Sequence, residues 1–137
     1  VVMYSNILIP VAPDHERSMT KAIELAETLR DKGGKITLLT VLEAMPAYVT
    51  QFLPEGQVTK NVVDAKINLQ EDADGHKNTD IKVIVGHSAN SILEYANENE
   101  TDCIIIASHR PNYQDYFLGS TAARVVRHAT CAVHVLR

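Results

Sequence analysis

From Ile104 the chain reads Ile-Ile-Ile-Ala-Ser-His-Arg-Pro, and it reaches Leu-Gly-Ser-Thr-Ala at Ala122. An apolar run gives way to polar residues and ends where a helix can begin. The chemistry that such a segment serves is the holding of an anion. Gly119 has no side chain to keep a ligand away from the backbone, and Ser120 and Thr121 add hydroxyls. The unpaired amides and the positive dipole end of a helix start favour phosphate. His109 and Arg110 stand on the same loop and add donors and charge. Eleven residues, Ser108 to Leu118, separate the strand end Ala107 from Gly119. A plainer role competes: Gly-Ser-Thr is also a good helix N-cap, and Arg110-Pro111 fits a loop turn with a solvated arginine.

Other chemistries find no footing. Neither a GxSxG elbow nor a GxxxxGK[ST] loop occurs, and the six histidines show no HExxH spacing. His128 and His134 read as structural or surface residues. No general base stands beside a partner that would orient it, so any hydrolysis of a bound phosphate compound is expected to be slow. Cys103 and Cys131 lie in apolar stretches without a CxxC spacing, as free thiols in a reducing compartment do. A net charge of −4 does not favour a nucleic-acid partner. Arg124, Arg127, His128 and Arg137 read as a solvated helix face plus a chain end. No apolar window approaches the ~20 residues of a membrane span. The first residues lack a basic segment followed by an apolar one, so no secretion signal is expected and the cytoplasm is the expected location.

The elements that must position the loop follow from periodicity. Asn6–Val11 is a short apolar run without hydrophilic alternation, as expected of a strand covered on both faces. Ser18–Arg30 places Met19, Ala22, Ile23, Ala26 and Leu29 on one helical face, with Gly33-Gly34 as its stop. Lys35–Leu42 gives a second strand. Ala44–Gly56 reads as an irregular excursion whose Tyr48, Phe52 and Leu53 are expected to anchor against the domain's own core. Val58–Ala73 gives a helix. Asp80–Val85 is a third strand, and Ser88–Ser91 offers caps before the next helix. Asp102–Ala107 is a fourth strand, Ser120–His128 a helix, and Ala132–Leu136 a fifth strand. Alternating strands and helices predict one three-layer α/β domain over residues 1–137, with a five-stranded parallel sheet and helices on both faces. In such a sheet ligands bind beyond the carboxyl ends of the strands. The loops at that edge are Pro10–Asp14, Val41–Glu43, Gly86–Ser88 and Ala107–Ser120.

A first strand ending in Pro-Val, a middle Gly-x-Ser loop, and "ASHRP", "LGS" and "VVRHA-x-C" toward the end together resemble the universal stress protein family. The likeness is to its F/G branch of small single-domain bacterial members. It covers the whole chain in element order and is most specific from Ile104 to Arg137. The resemblance implies a Rossmann-like, adenine nucleotide alpha hydrolase-like fold and a cytoplasmic, stress-linked homodimer paired through its last strands. It also implies ATP, ADP or AMP at the carboxyl edge, with Mg accompanying the triphosphate. Adenine would then lie beside Pro10, Val11, Ala12 and Val41. The phosphates would meet Ala107, Ser108, His109, Arg110, Gly119, Ser120 and Thr121. The family's motif is Gly-x-x-Gly, a nine-residue spacer, then Gly-Ser/Thr. Here Ala107 and Arg110 replace the first two glycines, and eight residues separate Arg110 from Gly119. Arginine matches phosphate oxygens with its own fork, so this departure is compatible with a retained ligand. Ala12 stands where an aspartate commonly contacts the nucleoside, with Asp14 two places on. Ala12 and the missing glycines also suit a second reading, a nucleotide-independent dimeric interaction module with a vestigial pocket.

Overall fold

Ile7 to Val11 is apolar on both sides because the strand that carries it lies at the centre of a covered sheet. A computed structural model describes residues 3–13, 19–108 and 118–137. In chain order it contains β1 (Tyr4–Pro10), α1 (Thr20–Leu29), β2 (Arg30–Glu43), α2 (Ala47–Thr50) and α3 (Gln57–Ala73). Then follow β3 (Thr79–Gly86), α4 (Ser88–Glu98), β4 (Cys103–Ala107), α5 (Ser120–His128) and β5 (Ala132–Leu136). The sheet order is β3-β2-β1-β4-β5, and every pairing is parallel. The three-layer fold expected from the alternation is the one present.

Side chains alternate across a strand, so each strand feeds two cores. Ile7, Ile9, Ile36, Leu38, Cys103 and Ile105 meet Ala22, Ile23 and Ala26 of α1 and Leu69 and Ala73 of α3. Leu8, Leu39, Val41, Ile104 and Ile106 meet Ile92 and Ala96 of α4 and Ala122 and Val125 of α5. Each large aliphatic side chain so removed from water contributes about 1.5–3 kcal/mol. Strand order reverses at β1. The chain lays β2 and β3 on one side of it, and then α4 carries it back to place β4 on the other side. The carboxyl ends of β1 and β4 therefore flank the topological switch point.

Three local expectations are corrected. The first helix ends at Leu29, not at the glycines: Arg30 is already extended, with φ −77° and ψ 137°, and opens β2. Pairing runs Tyr4↔Arg30 and then Asn6↔Lys35, so Asp31–Gly34 bulge opposite Ser5. Gly33 takes φ +84°, and a Cβ on Gly34 would sit 2.7 Å from Arg30 Cγ. The glycines thus serve a bulge rather than a helix stop. The excursion after β2 contains the single-turn α2 rather than being irregular throughout. Its aromatic residues do not anchor to the core: Tyr48 is 67% and Phe52 83% exposed, and Leu53 is half-buried. Among the described residues no helix is long and apolar enough to cross a membrane.

Candidate functional site

Alternate residues of a parallel strand send their backbone N–H and C=O to opposite neighbours. Val11 N–H donates to Leu39 C=O at 2.8 Å, which assigns Ile7, Ile9 and Val11 to β2. Leu8 and Pro10 therefore face β4. Pairing of β1 with β4 covers Ile7↔Cys103 and Leu8↔Ile104 and then stops, although β4 runs on to Ala107. The next rung would need residue 10 to donate to Ile105 C=O, and proline has no N–H. The sheet consequently parts between β1 and β4 at the switch point. Pro10 was expected to be a ligand contact; its position in the register gives it a second role, as the residue that ends the ladder.

On the β4 side of this crevice, Ser108 is a hub. It is 1% exposed, and its N–H donates to Leu136 C=O of β5 at 2.8 Å. Its C=O accepts from Gly119 N–H at 2.6 Å, which closes the long loop at its neck and brings the start of α5 to the end of β4. Ala107, the last residue of β4, is exposed at this edge. Gly119 is the N-cap of α5, with φ −60° and ψ 156°, and among the described residues no side-chain hydrogen bond caps the helix. Gly119 thus takes the N-cap position that Gly-Ser-Thr offered, while Ser120 and Thr121 lie inside the first turn. Ser120 is exposed and Thr121 half-buried. The first turn of α5, with the positive end of its dipole, thus starts at the carboxyl end of β4.

On the β2 side stand Val11, Ala12 and Val41. Val11 and Val41 are each 4% exposed, while Ala12 and Pro13 are exposed. The Val41 side chain packs beneath α4 and α5, so what Val41 offers a ligand is its backbone. Ala44 N–H donates to Gly86 C=O at 3.0 Å, which assigns the even-numbered residues of β2 to β3. Val41 accordingly directs its backbone groups to the β1 side, at the level where β1 has ended. Of the residues singled out in the sequence, Pro10, Val11, Ala12, Val41, Ala107, Ser108, Gly119, Ser120 and Thr121 all lie at this one sheet edge. His109, Arg110 and Asp14 lie outside the described residues.

The neighbouring edge carries a feature that sequence spacing hides. Glu43, at the end of β2, accepts from Ser88 N–H at 3.1 Å and from Ser88 Oγ, and so caps α4 from another strand. His87 Nδ1 lies 3.6 Å from the second carboxylate oxygen. The Ser88 hydrogen bonds, helped by His87, hold the Glu43 carboxyl below its usual value near 4.5. The folded-state pKa is the lower one, so the bond stabilises the fold above pH 4.5 and is lost as pH falls through the folded value. Glu43→Ala is expected to cost about 0.5–1 kcal/mol at pH 7, the low half of the range for a lost cap because the carboxylate is largely solvated. In urea titrations that difference should shrink to nothing in acid; a difference independent of pH would exclude the capping account.

The cysteines stand apart from this edge chemistry. Both are free thiols, and Cys103 is 2% exposed. Burial pushes Cys103 up to about 11 and raises Cys131 as well, so neither is a nucleophile at neutral pH. They pack into opposite cores, Cys103 toward α1 and α3 and Cys131 toward α4 and α5. Arg124, Arg127, His128 and Arg137 are exposed, as a solvated face requires.

The model of the universal stress protein family matches residues 3–137. Universal stress protein G of Salmonella typhimurium is 33% identical over 147 aligned positions, covering 98% of this chain and all of that one. The universal stress protein UspA from Lactobacillus plantarum has the same fold, with a TM-score of 0.81 at 23% identity and full coverage of both chains. A universal stress protein family protein from Arabidopsis thaliana, solved with AMP bound, superposes with a TM-score of 0.62 at 18% identity. That alignment covers 95% of this chain and 90% of the other.

Proposed function

The chain belongs to the universal stress protein family, and we propose that it binds an adenine nucleotide at the carboxyl edge of its sheet as a regulatory or sensing module of the stress response. The observation that carries this reading is the β1–β4 ladder that ends at Leu8↔Ile104, together with the start of α5 held through Ser108 at the end of β4. An opening bordered by apolar strand ends suits a flat purine, and a helix start with free amides suits phosphate. The AMP held by the Arabidopsis protein of the same fold supports the choice of ligand class. In this reading the base lies beside Pro10, Val11, Ala12 and the backbone of Val41. The phosphates meet Ala107, Ser108, Gly119, Ser120 and Thr121, with His109 and Arg110 as further partners. ATP, ADP and AMP all present the required groups, and Mg would enter with the triphosphate.

We further propose a cytoplasmic homodimer. The strand β5 forms a sheet edge, and Val133 and Val135 are only half-buried there. A partner strand would satisfy both the edge hydrogen bonds and the apolar side chains.

One preparation tests both claims. Protein purified without added nucleotide should release an adenine nucleotide on denaturation, identified by mass spectrometry, or melt higher in millimolar AMP or ATP. Its light-scattering mass should be that of two chains. Protein that comes away empty and is unmoved by nucleotide would leave the interaction module of vestigial pocket as the function. A one-chain mass at micromolar concentration would remove the dimer.

A further inference from the structure

We infer that Thr40 is a positioning residue that keeps the backbone donor of Val41 free for a ligand. The register shows what it prevents. Pro10 pairs with Leu39, and Val11 N–H then donates to Leu39 C=O at 2.8 Å. A regular parallel ladder would continue with Val41 N–H donating to Val11 C=O. That rung is absent. The Val11 carbonyl accepts instead from Thr40 Oγ at 3.0 Å, and Thr40 is itself 2% exposed.

A carbonyl at the edge of a core takes a donor from somewhere. With the hydroxyl in place it is satisfied from the side, and β1 can leave the sheet at Ala12-Pro13 without the rung. Without the hydroxyl, the nearest donor that the ladder supplies is the Val41 amide. Recruiting it would zip β1 to β2 by one more rung and withdraw Val41 N–H from the edge. Thr40 thus does on the β2 side what Pro10 does on the β4 side. One residue supplies a substitute donor, the other removes a donor, and among the described residues no further rung joins β1 to either neighbour at the crevice. Threonine is required for its hydroxyl rather than its shape, since valine fills nearly the same volume.

The consequence for affinity rests on the proposed nucleotide site, but the consequence for Val41 does not. The test uses full-length Thr40→Val and Thr40→Ser proteins. Amide hydrogen exchange of Val41, read by NMR without nucleotide, should slow at least tenfold in Thr40→Val and remain as in the parent protein in Thr40→Ser. AMP titrated calorimetrically should bind at least tenfold more weakly to Thr40→Val and normally to Thr40→Ser. Unchanged Val41 exchange in a folded Thr40→Val protein would overturn the inference, as would normal AMP affinity despite slowed exchange. If the parent protein itself does not bind AMP, the nucleotide reading fails, and the Val41 exchange alone still decides the role of Thr40.

Discussion

Ser120→Glu is expected to make the protein more stable and, at the same time, to abolish adenine-nucleotide binding. The residue is exposed at the first position of α5, in a turn that no side chain caps among the described residues. A carboxylate there meets the positive end of the helix dipole and free amides, worth about 0.3–1 kcal/mol. For a domain of this size that corresponds to a rise in melting temperature of roughly 1–4 °C. The same carboxylate occupies the ground proposed for phosphate and repels it, and like charges brought together at a binding surface cost several kcal/mol. A loss of at least about 100-fold in AMP affinity follows, or about 2.7 kcal/mol. The opposite signs matter. A substitution that merely damaged the fold would lower both quantities, whereas one acting on a phosphate site raises one and lowers the other. Nucleotide affinity within about threefold of the parent protein, together with the stability gain, would show that α5 begins at an ordinary helix end.

How far the site could be read from the sequence depended on the range over which each signal acts. Unbroken apolar runs and three-and-four spacing are local, and they located the five strands and four of the helices to within a few residues. The segment that closes on Gly119 was visible because its loop and helix start are contiguous. Pro10 was visible as a residue but not as a ladder terminator, because that role exists only once Leu8 is paired with Ile104 in β4. Glu43 was placed in an edge loop but not as a cap for α4, because its partner Ser88 is 45 residues away. Thr40 was invisible for a related reason: a buried threonine in an apolar strand looks like a β-branched filler until the neighbouring strand ends beside it. Gly33-Gly34 misled because the same residue type ends helices and shapes bulges, and only the register between β1 and β2 separates the two.

Asp102→Ala should produce the largest loss of stability among the polar positions, without touching the ligand site. Asp102 sits at the entry to β4, on the amino edge of the sheet, opposite the crevice. Its carboxylate accepts from Ser5 N–H at 2.9 Å, Ser5 Oγ at 3.2 Å and Asn6 N–H at 3.0 Å. Its own N–H donates to Asn6 C=O at 3.0 Å, and Asn6 Nδ2 donates to Asn99 C=O. One side chain therefore fastens the start of the central strand to a segment 96 residues further along. Hydrogen bonds to a charged acceptor contribute about 1.5–3 kcal/mol when shielded. This group is partly solvated, so the three together are expected to give about 2–3 kcal/mol. Melting should fall by roughly 6–12 °C. Asp102→Asn keeps the shape but turns one acceptor into a donor facing N–H groups, and should lose about half as much. AMP affinity, measured well below the lowered midpoint, should equal that of the parent protein, because the ladder is broken at Pro10, beyond the paired stretch that Asp102 secures. If Asp102→Ala weakens AMP binding as much as it weakens the fold, then the crevice is not independent of the amino edge. The β1–β4 opening would then be held by global tension in the sheet rather than by the missing donor at Pro10.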